Sequence, residues 1–239
     1  ESTNSTAEHH LNHIKAAEPI LVFANQQTDG KGRYNRKWIS PKGGNIYYSL
    51  GFLPNISAIK LRLFTLYQGI EIAKLLRSFF SHENIMIKWP NDIFLNGKKI
   101  GGILTEAQVD CESIKSLILG VGLNINKSPS QVDKSLIKSS TSCWEEFRKK
   151  TPLHELSAKL VKSCILSYTN CIKNEKGYKI SEIWKEYDYL HEKKIRLLIG
   201  QKTIRGKSIG IDEKTGGLKV KLSNGRVQVF QSGEVTICA

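Results

Sequence analysis

A chain of 239 residues is long enough to bury a full hydrophobic core and to form one large domain, or one domain with a small module. Its formal net charge of +14 invites a nucleic-acid reading, but the lysines are scattered along the whole length instead of forming one basic tract, so sequence-specific DNA binding is not expected. No apolar run reaches the ~18 residues of a membrane span, and five cysteines without a CxxC pair (Cys111, Cys143, Cys164, Cys171 and Cys238) point to free thiols in a reducing compartment, the cytoplasm or, after processing, an organelle.

Glu1 is not an initiator methionine, so the chain is expected to be a trimmed or processed product. Ser2 or Asn4 can cap a helix running to about Lys15, with Ala7, Leu11 and Ile14 at helical spacing. His9 and His13 are four apart, but no acidic or cysteine partner lies nearby, so they are read as surface residues and no metal site is assigned. Ile20 to Ala24 forms a short apolar strand, followed by a glycine-rich segment from Gln27 to Gly44. Gly30-x-Gly32 after a strand comes near a dinucleotide fingerprint, yet that motif must open a helix, and Pro41, Gly43 and Gly44 forbid one. What remains is a loop with Lys31, Arg33, Arg36 and Lys37 among glycines, suited to wrapping amides and cations around a phosphate and short of apolar anchors of its own.

Asn45 to Phe52 reads as a strand, and Ile59, Leu63, Leu66, Ile70, Ala73 and Leu76 then mark a long amphipathic helix after a cap at Asn55 or Ser57. Between Lys88 and Leu104 two strand-like runs flank Asn96-Gly97, the strongest short hairpin signal because both central residues of a type I′ turn need positive φ. Pairing outward sets Phe94 opposite Lys99, Ile93 opposite Ile100 and Asp92 opposite Gly101. Asp92, Phe94, Lys99 and Gly101 then share one face. An acid and a lysine beside a glycine could hold a small anion, or could be an ordinary surface ion pair. Leu117 to Ile125 supplies another strand, in which Gly120 and Gly122 allow close approach to the backbone.

Lys127 to Lys150 reads as polar loop. Thr151 and Pro152 open a helix whose stripe is Leu153, Leu156, Leu160, Cys164 and Tyr168, and a short helix from about Ile180 to Tyr189 carries Trp184. From Lys193 short strands with turns at Gly200, Gly216-Gly217 and Asn224-Gly225 predict a small β-barrel. The expected organisation is thus a mixed-sheet α/β domain over 1–190 and a barrel over 193–239.

Lys88-Trp89-Pro90-Asn91-Asp92 with Gly97-Lys98-Lys99-Ile100-Gly101-Gly102-Ile103-Leu104 resembles the signature of biotin protein ligases. Three more stretches fall in that family's order: Ser2-Thr3-Asn4, the glycine and arginine loop from Gln27 to Gly44, and Gly120-Val121-Gly122-Leu123-Asn124. The resemblance implies the biotin/lipoate ligase-like α/β fold with an SH3-like C-terminal barrel. It implies activation of biotin by ATP to biotinyl-5′-AMP, with Mg2+, and transfer of biotin to a lysine of the biotin carboxyl carrier protein of acetyl-CoA carboxylase. Residue by residue, Ser2, Thr3, Asn4 and Gln27 correspond to biotin contacts; Lys31, Gly32 and Arg33 would close over the ligand; and the backbone at Gly120 and Gly122 would face its ureido ring. Lys99 would be the cation on the carboxylate and α-phosphate, and Asp92 would orient the incoming lysine or receive its proton. Arg36, Trp38, Lys88, Asn91 and Asn124 would serve the nucleotide.

The loop departs from the family pattern at Lys31, where an arginine is usual, and at Asn35, where a glycine is usual. Asparagine tolerates the left-handed region, while lysine lacks arginine's bidentate fork. Many family members carry an N-terminal helix-turn-helix, which is not expected in this chain, where a single segment precedes the first strand. Pairing of two chains through a sheet edge stays open. A lipoate-type ligase and a non-catalytic basic binding module are the alternatives.

Overall fold

The computed structural model describes residues 1–13, 18–111, 113–173 and 179–238. Its elements in chain order are α1 (Thr3–His13), β1 (Ile20–Ala24), β2 (Ile46–Phe52), β3 (Ile56–Ser57), α2 (Phe64–Phe80), β4 (Ile85–Lys88), β5 (Asp92–Leu95), β6 (Lys98–Asp110) and β7 (Ser113–Leu123). They continue with α3 (Cys143–Phe147), α4 (Leu153–Lys173), α5 (Ile180–Tyr187), β8 (Lys194–Ile199), β9 (Lys202–Ile211), β10 (Leu218–Lys221), β11 (Val227–Phe230) and β12 (Glu234–Ile237). The first seven strands form one antiparallel sheet in the order β1-β2-β7-β6-β5-β4, with β3 beside the start of β7. The last five form a separate antiparallel sheet, β11-β10-β9-β8-β12, which is the small SH3-like barrel. The fold is the mixed α/β architecture read from the sequence.

Period-two alternation divides the large sheet into two unlike faces. Ile46, Tyr48, Leu50 and Phe52 of β2 and Leu117, Leu119, Val121 and Leu123 of β7 point into the main core, where they meet Ile70, Ala73 and Leu76 of α2 and Leu156, Leu160 and Cys164 of α4. Many of the intervening residues are small: Ser49 and Gly51 on β2, Gly120 and Gly122 on β7, Gly102 on β6. This face carries α1 at one end, packed through Ala7 and Leu11 against Ile118, and is left as a platform elsewhere. The barrel shares the main core through Leu197, Leu218 and Val220, and it is tied down by Trp89, whose indole N–H donates to Gly216 O at 2.9 Å. Glu213 accepts from the N–H groups of Ile180 and Ser181 at 2.8 and 3.0 Å, satisfying two free donors at the start of α5.

Several expectations change in detail. The helix expected from Ile59 begins only at Phe64: Ser57 Oγ accepts from Ile59 N and caps a 3-10 turn over Ala58–Leu61, which leaves Ile59 on the surface. Residues 127–150 are not all loop, since Pro129–Gln131 and Lys134–Lys138 form 3-10 turns and Ser142 caps α3 by accepting from Glu145 N. The helix carrying Trp184 stops at Tyr187, and Ile14 and Lys15, at the expected end of α1, lie outside the described residues.

The largest correction concerns the hairpin. Asn96 and Gly97 have φ of 49° and 83°, as the turn requires, and Phe94 lies opposite Lys99; Ile93, however, pairs with Gly101 and Asp92 with Gly102. Ile100 is thus the extra residue of a β-bulge, which counting outward with strict period two could not include. The bulge turns Gly101 toward Leu123, where an added Cβ would lie 2.4 Å from Leu123 Cδ2, and brings Gly102 onto the face of Asp92 and Lys99.

Candidate active site

Above the platform lies a cavity of about 350 Å³ whose lining includes Gly32, Arg33, Arg36, Trp38, Lys88, Asn91, Asp92, Lys99, Gly102 and Gly120, together with Gly233 to Thr236 of the barrel. A second cavity of about 630 Å³ adjoins it, sharing Arg33, Asn91 and Leu104. Nine of the residues proposed from sequence therefore meet around one space.

At the charged end, Lys99 Nζ lies 2.6 Å from Asp92 Oδ1 and 5.2 Å from the centre of the Trp38 ring. The bulge at Ile100 leaves the Lys99 backbone free to bond elsewhere. Its N–H donates to Ser139 O and its carbonyl accepts from Thr141 N, each at 3.0 Å, so the lysine stands on a backbone fixed from a second side. Lys88 sits below, 5.4 Å from the Phe94 ring centre, and burial lowers its pKa, opposed mainly by the charge of Asp92. Asn91 joins the strands and the loop: its Nδ2 donates to Ile103 O at 2.7 Å while its Oδ1 accepts from Arg33 Nη1 at 3.3 Å.

The glycine-rich loop has more anchors than its sequence suggests. Trp38 N donates to Gly30 O and Gly32 N to Arg36 O, both at 2.7 Å, and Lys31 and Lys37 form an antiparallel bridge. Gly30 is required by close approach, since a Cβ there would stand 2.5 Å from Trp38 O. Asn35 takes the left-handed conformation at φ 56°, which keeps the loop's backbone without the family's glycine, and so does Tyr34. Arg36 forms an ion pair with Glu234 of β12, joining loop to barrel. The Trp38 indole lies over Gly122, where a Cβ would be 2.6 Å from Nε1, and that buried N–H has no partner.

At the opposite end of the platform Ser2, Thr3 and Asn4 are buried at the start of α1. Thr3 N and Oγ1 donate to Gln27 Oε1 at 2.9 and 3.1 Å, Gln27 Nε2 donates to Ser40 Oγ at 2.9 Å, and Asn4 Nδ2 donates to Glu106 Oε2 at 2.5 Å. Ser49 Oγ lies within hydrogen-bond reach of both Thr3 Oγ1 and Asn4 Oδ1. Gly120 makes this packing feasible, since a Cβ on it would lie 2.1 Å from Asn4 Oδ1. These four residues form one hydrogen-bonded cluster, but they adjoin the cavity instead of lining it, with Gly120 as the link. Lys31, Gly122 and Asn124 also stand outside the lining; Asn124 is buried and donates Nδ2 to Thr141 O at 3.2 Å, holding the strand beside Lys99.

Sequence reasoning did not single out Ser49, Glu106, Tyr34 or Glu234. Ser49 had a signal, as the polar residue of a fully buried strand; Glu106 and Glu234 had none, since their partners lie 102 and 198 residues away.

A family model described as Biotin/lipoate A/B protein ligase family matches residues 1–124, and one described as Biotin protein ligase C terminal domain matches residues 190–237. The chain is 30% identical over 234 residues to the Bifunctional ligase/repressor BirA of Bacillus subtilis (strain 168), covering 97% of this chain and 70% of that one. It is 31% identical over 114 residues to the Biotin–[acetyl-CoA-carboxylase] ligase of Paracoccus denitrificans, 45% of each. Its fold matches that of the Aquifex aeolicus biotin protein ligase in complex with biotin and ATP with a TM-score of 0.80 at 24% identity, covering 100% of this chain and 95% of that one. The chain belongs to the biotin/lipoate A/B protein ligase family. Within that family it carries the C-terminal domain of the biotin protein ligases.

Proposed function

We propose that the chain is an ATP-dependent biotin protein ligase that forms biotinyl-5′-AMP and passes the biotinyl group to a lysine of the biotin carboxyl carrier protein of acetyl-CoA carboxylase. The observation that carries this reading is the gathering of Lys99, Lys88, Arg33 and Arg36 around one cavity above a glycine-floored platform. Joining a carboxylate to an amine is uphill in water, so the carboxylate is first activated. A biotin carboxylate oxygen attacks the α-phosphorus, the bond to the β-phosphate oxygen breaks, and pyrophosphate leaves. The lysine amine then attacks the acyl carbon, loses a proton, and AMP departs. Both steps build negative charge on oxygen and need positioned cations more than a covalent nucleophile.

Lys99 is assigned to the carboxylate and α-phosphate in both steps, and Arg33 to the acyl phosphate. Arg36, Lys88, Asn91 and Trp38 are assigned to the nucleotide. Asp92, paired with Lys99, is placed to orient the incoming amine or take its proton. Thr3, Asn4, Gln27 and the Gly120 backbone are assigned to the ureido ring, with Ser2 capping α1 through Asn4 N. Asn124 supports the site through Thr141 instead of meeting the nucleotide itself. Asp92 and Glu234 are the carboxylates of the cavity, each facing a cation, and among the described residues no group of three or more His, Cys, Asp or Glu could cage a metal. A magnesium ion would therefore arrive with ATP, held by phosphate oxygens and water.

The two sheets support a division into a catalytic domain over 1–190 and a barrel over 193–239, the barrel closing the cavity through β12. No helix among the described residues is long and apolar enough to cross a membrane. We place the activity in the cytoplasm. The test is pyrophosphate release from ATP with biotin, lipoate or neither. Release with biotin alone is expected, and release with lipoate but not biotin would overturn the reading.

A further inference from the structure

Tyr34 has φ 56° and ψ 40°, the left-handed region that bulky side chains rarely adopt, and it precedes Asn35, which has the same φ. A bulky residue held there needs a compensating contact. Burial does not provide it, since 55% of Tyr34 is exposed. Its hydrogen bond goes to its neighbour: Arg33 Nη2 donates to Tyr34 Oη at 3.0 Å, and Arg33 Cζ lies 4.8 Å from the ring centre. In extended chain adjacent side chains point apart, so the left-handed turn at Tyr34 is what brings its ring back beside Arg33.

The other side of the guanidinium is held by Asn91 Oδ1, which accepts from Nη1, and Asn91 is itself fixed by two hydrogen bonds with the Ile103 backbone at 2.7 and 2.9 Å. One hydrogen bond leaves a guanidinium free to pivot. Two, one on each terminal nitrogen, with Cζ over an aromatic ring, determine its plane. We propose that Tyr34 is a positioning residue that, with Asn91, clamps the Arg33 guanidinium toward the acyl phosphate and thereby sets how long the adenylate is held. The proposal deepens the ligase reading and rests on it. An arginine oriented before the ligand arrives surrenders less rotamer freedom on binding, so the clamp acts chiefly on the rate of escape.

The experiment uses the full chain and synthetic labelled biotinyl-5′-AMP, chased with excess unlabelled compound. Tyr34→Phe keeps the ring and loses the acceptor; Tyr34→Gly loses both and adopts the backbone without strain. Release about threefold faster for Tyr34→Phe and about tenfold faster for Tyr34→Gly is expected, the scale of hydrogen bonds to a charged group. Melting of Tyr34→Gly should not fall below wild type, because the strain is relieved. A merely structural tyrosine would lower melting and leave release unchanged. Equal release from wild type and both variants, or a glycine variant that melts lower and still holds the adenylate like wild type, overturns the clamp while the ligase reading stands. Failure of wild type to bind biotinyl-5′-AMP overturns both.

Discussion

The two ends of the platform are built on opposite principles. Around Thr3, Asn4, Gln27 and Ser49 the side chains are largely buried and bonded to one another over short distances. Around Lys99, Arg33 and Arg36 they are part-exposed; Lys99 and Arg36 are paired with opposite charge, and Arg33 meets only the neutral side chains of Asn91 and Tyr34. Buried polar groups must be satisfied in place, so the first end is assembled before any ligand and can select a neutral ring by shape and hydrogen-bond direction. Part-exposed ion pairs are worth only ~0–1 kcal/mol, so the second end can exchange Asp92 or Glu234 for a carboxylate or phosphate at little cost. A reaction that accepts two anions, expels pyrophosphate and later AMP suits cations that change partners easily.

The strongest way to break this comparison is to delete the central cation. Lys99→Ala should slow pyrophosphate release with biotin and ATP by about two orders of magnitude or more, the scale of losing one preorganised charge donor. Melting should barely move, because the pair it loses is part-exposed. Near-normal release would refute the role. The next largest effect is expected from Arg33→Gly, which should leave some activation but let the adenylate escape roughly thirtyfold faster, as for a lost charge-assisted contact of ~2 kcal/mol. Biotin on a bystander such as albumin, counted over time, measures it; equal bystander labelling by both proteins, with adenylate synthesis confirmed in each, would remove Arg33 from retention.

The two ends also differed in how far their sequence revealed them. The charged end rests on a hairpin whose turn is written in Asn96-Gly97, and the lysine-acid pair followed from it even though the bulge at Ile100 was invisible to period-two counting. The buried end offered no local pattern: Thr3, Asn4 and Gln27 entered through family resemblance, and their partners Ser49 and Glu106 come from strands far along the chain. Fold-level features followed where apolar spacing was regular, as in α4. They were lost where a side-chain cap overrode it, as Ser57 does before Ile59. Tyr34 had no signal in the sequence, because a bulky residue is not expected at positive φ and only Asn35 beside it has a left-handed tendency.

At the buried end, Gly120→Ala should be the sharper probe because it adds an atom where Asn4 Oδ1 already stands, 2.1 Å away. Asn4 must shift and leave Ser49 or Glu106 short of a partner, a loss of ~1–3 kcal/mol that should lower the melting temperature by several degrees. KM for biotin should rise about tenfold with kcat changed less, because the ring's seat is damaged while the cations stay in place. A kcat loss with unchanged KM would show that Gly120 serves the charged end instead.

The smallest effect needs no mutation. If one end works by buried hydrogen bonds and the other by part-exposed charge, salt should separate them. Raising ionic strength from 0.1 M to 1 M shortens the Debye length from ~10 Å to ~3 Å, which screens exposed charges and leaves buried contacts nearly untouched. On the proposed assignment ATP would bring its phosphates to Arg36, Lys88 and Lys99, whereas biotinol, the alcohol corresponding to biotin, keeps the ureido ring and carries no carboxylate to the charged end. Between those salt concentrations the Kd for ATP should weaken about fivefold and that for biotinol by less than about twofold, both read by calorimetry on the full chain. If both ligands weakened equally, the ring end would be as dependent on exposed charge as the phosphate end. Glu106, the carboxylate bonded to Asn4, would then be the residue to neutralise next.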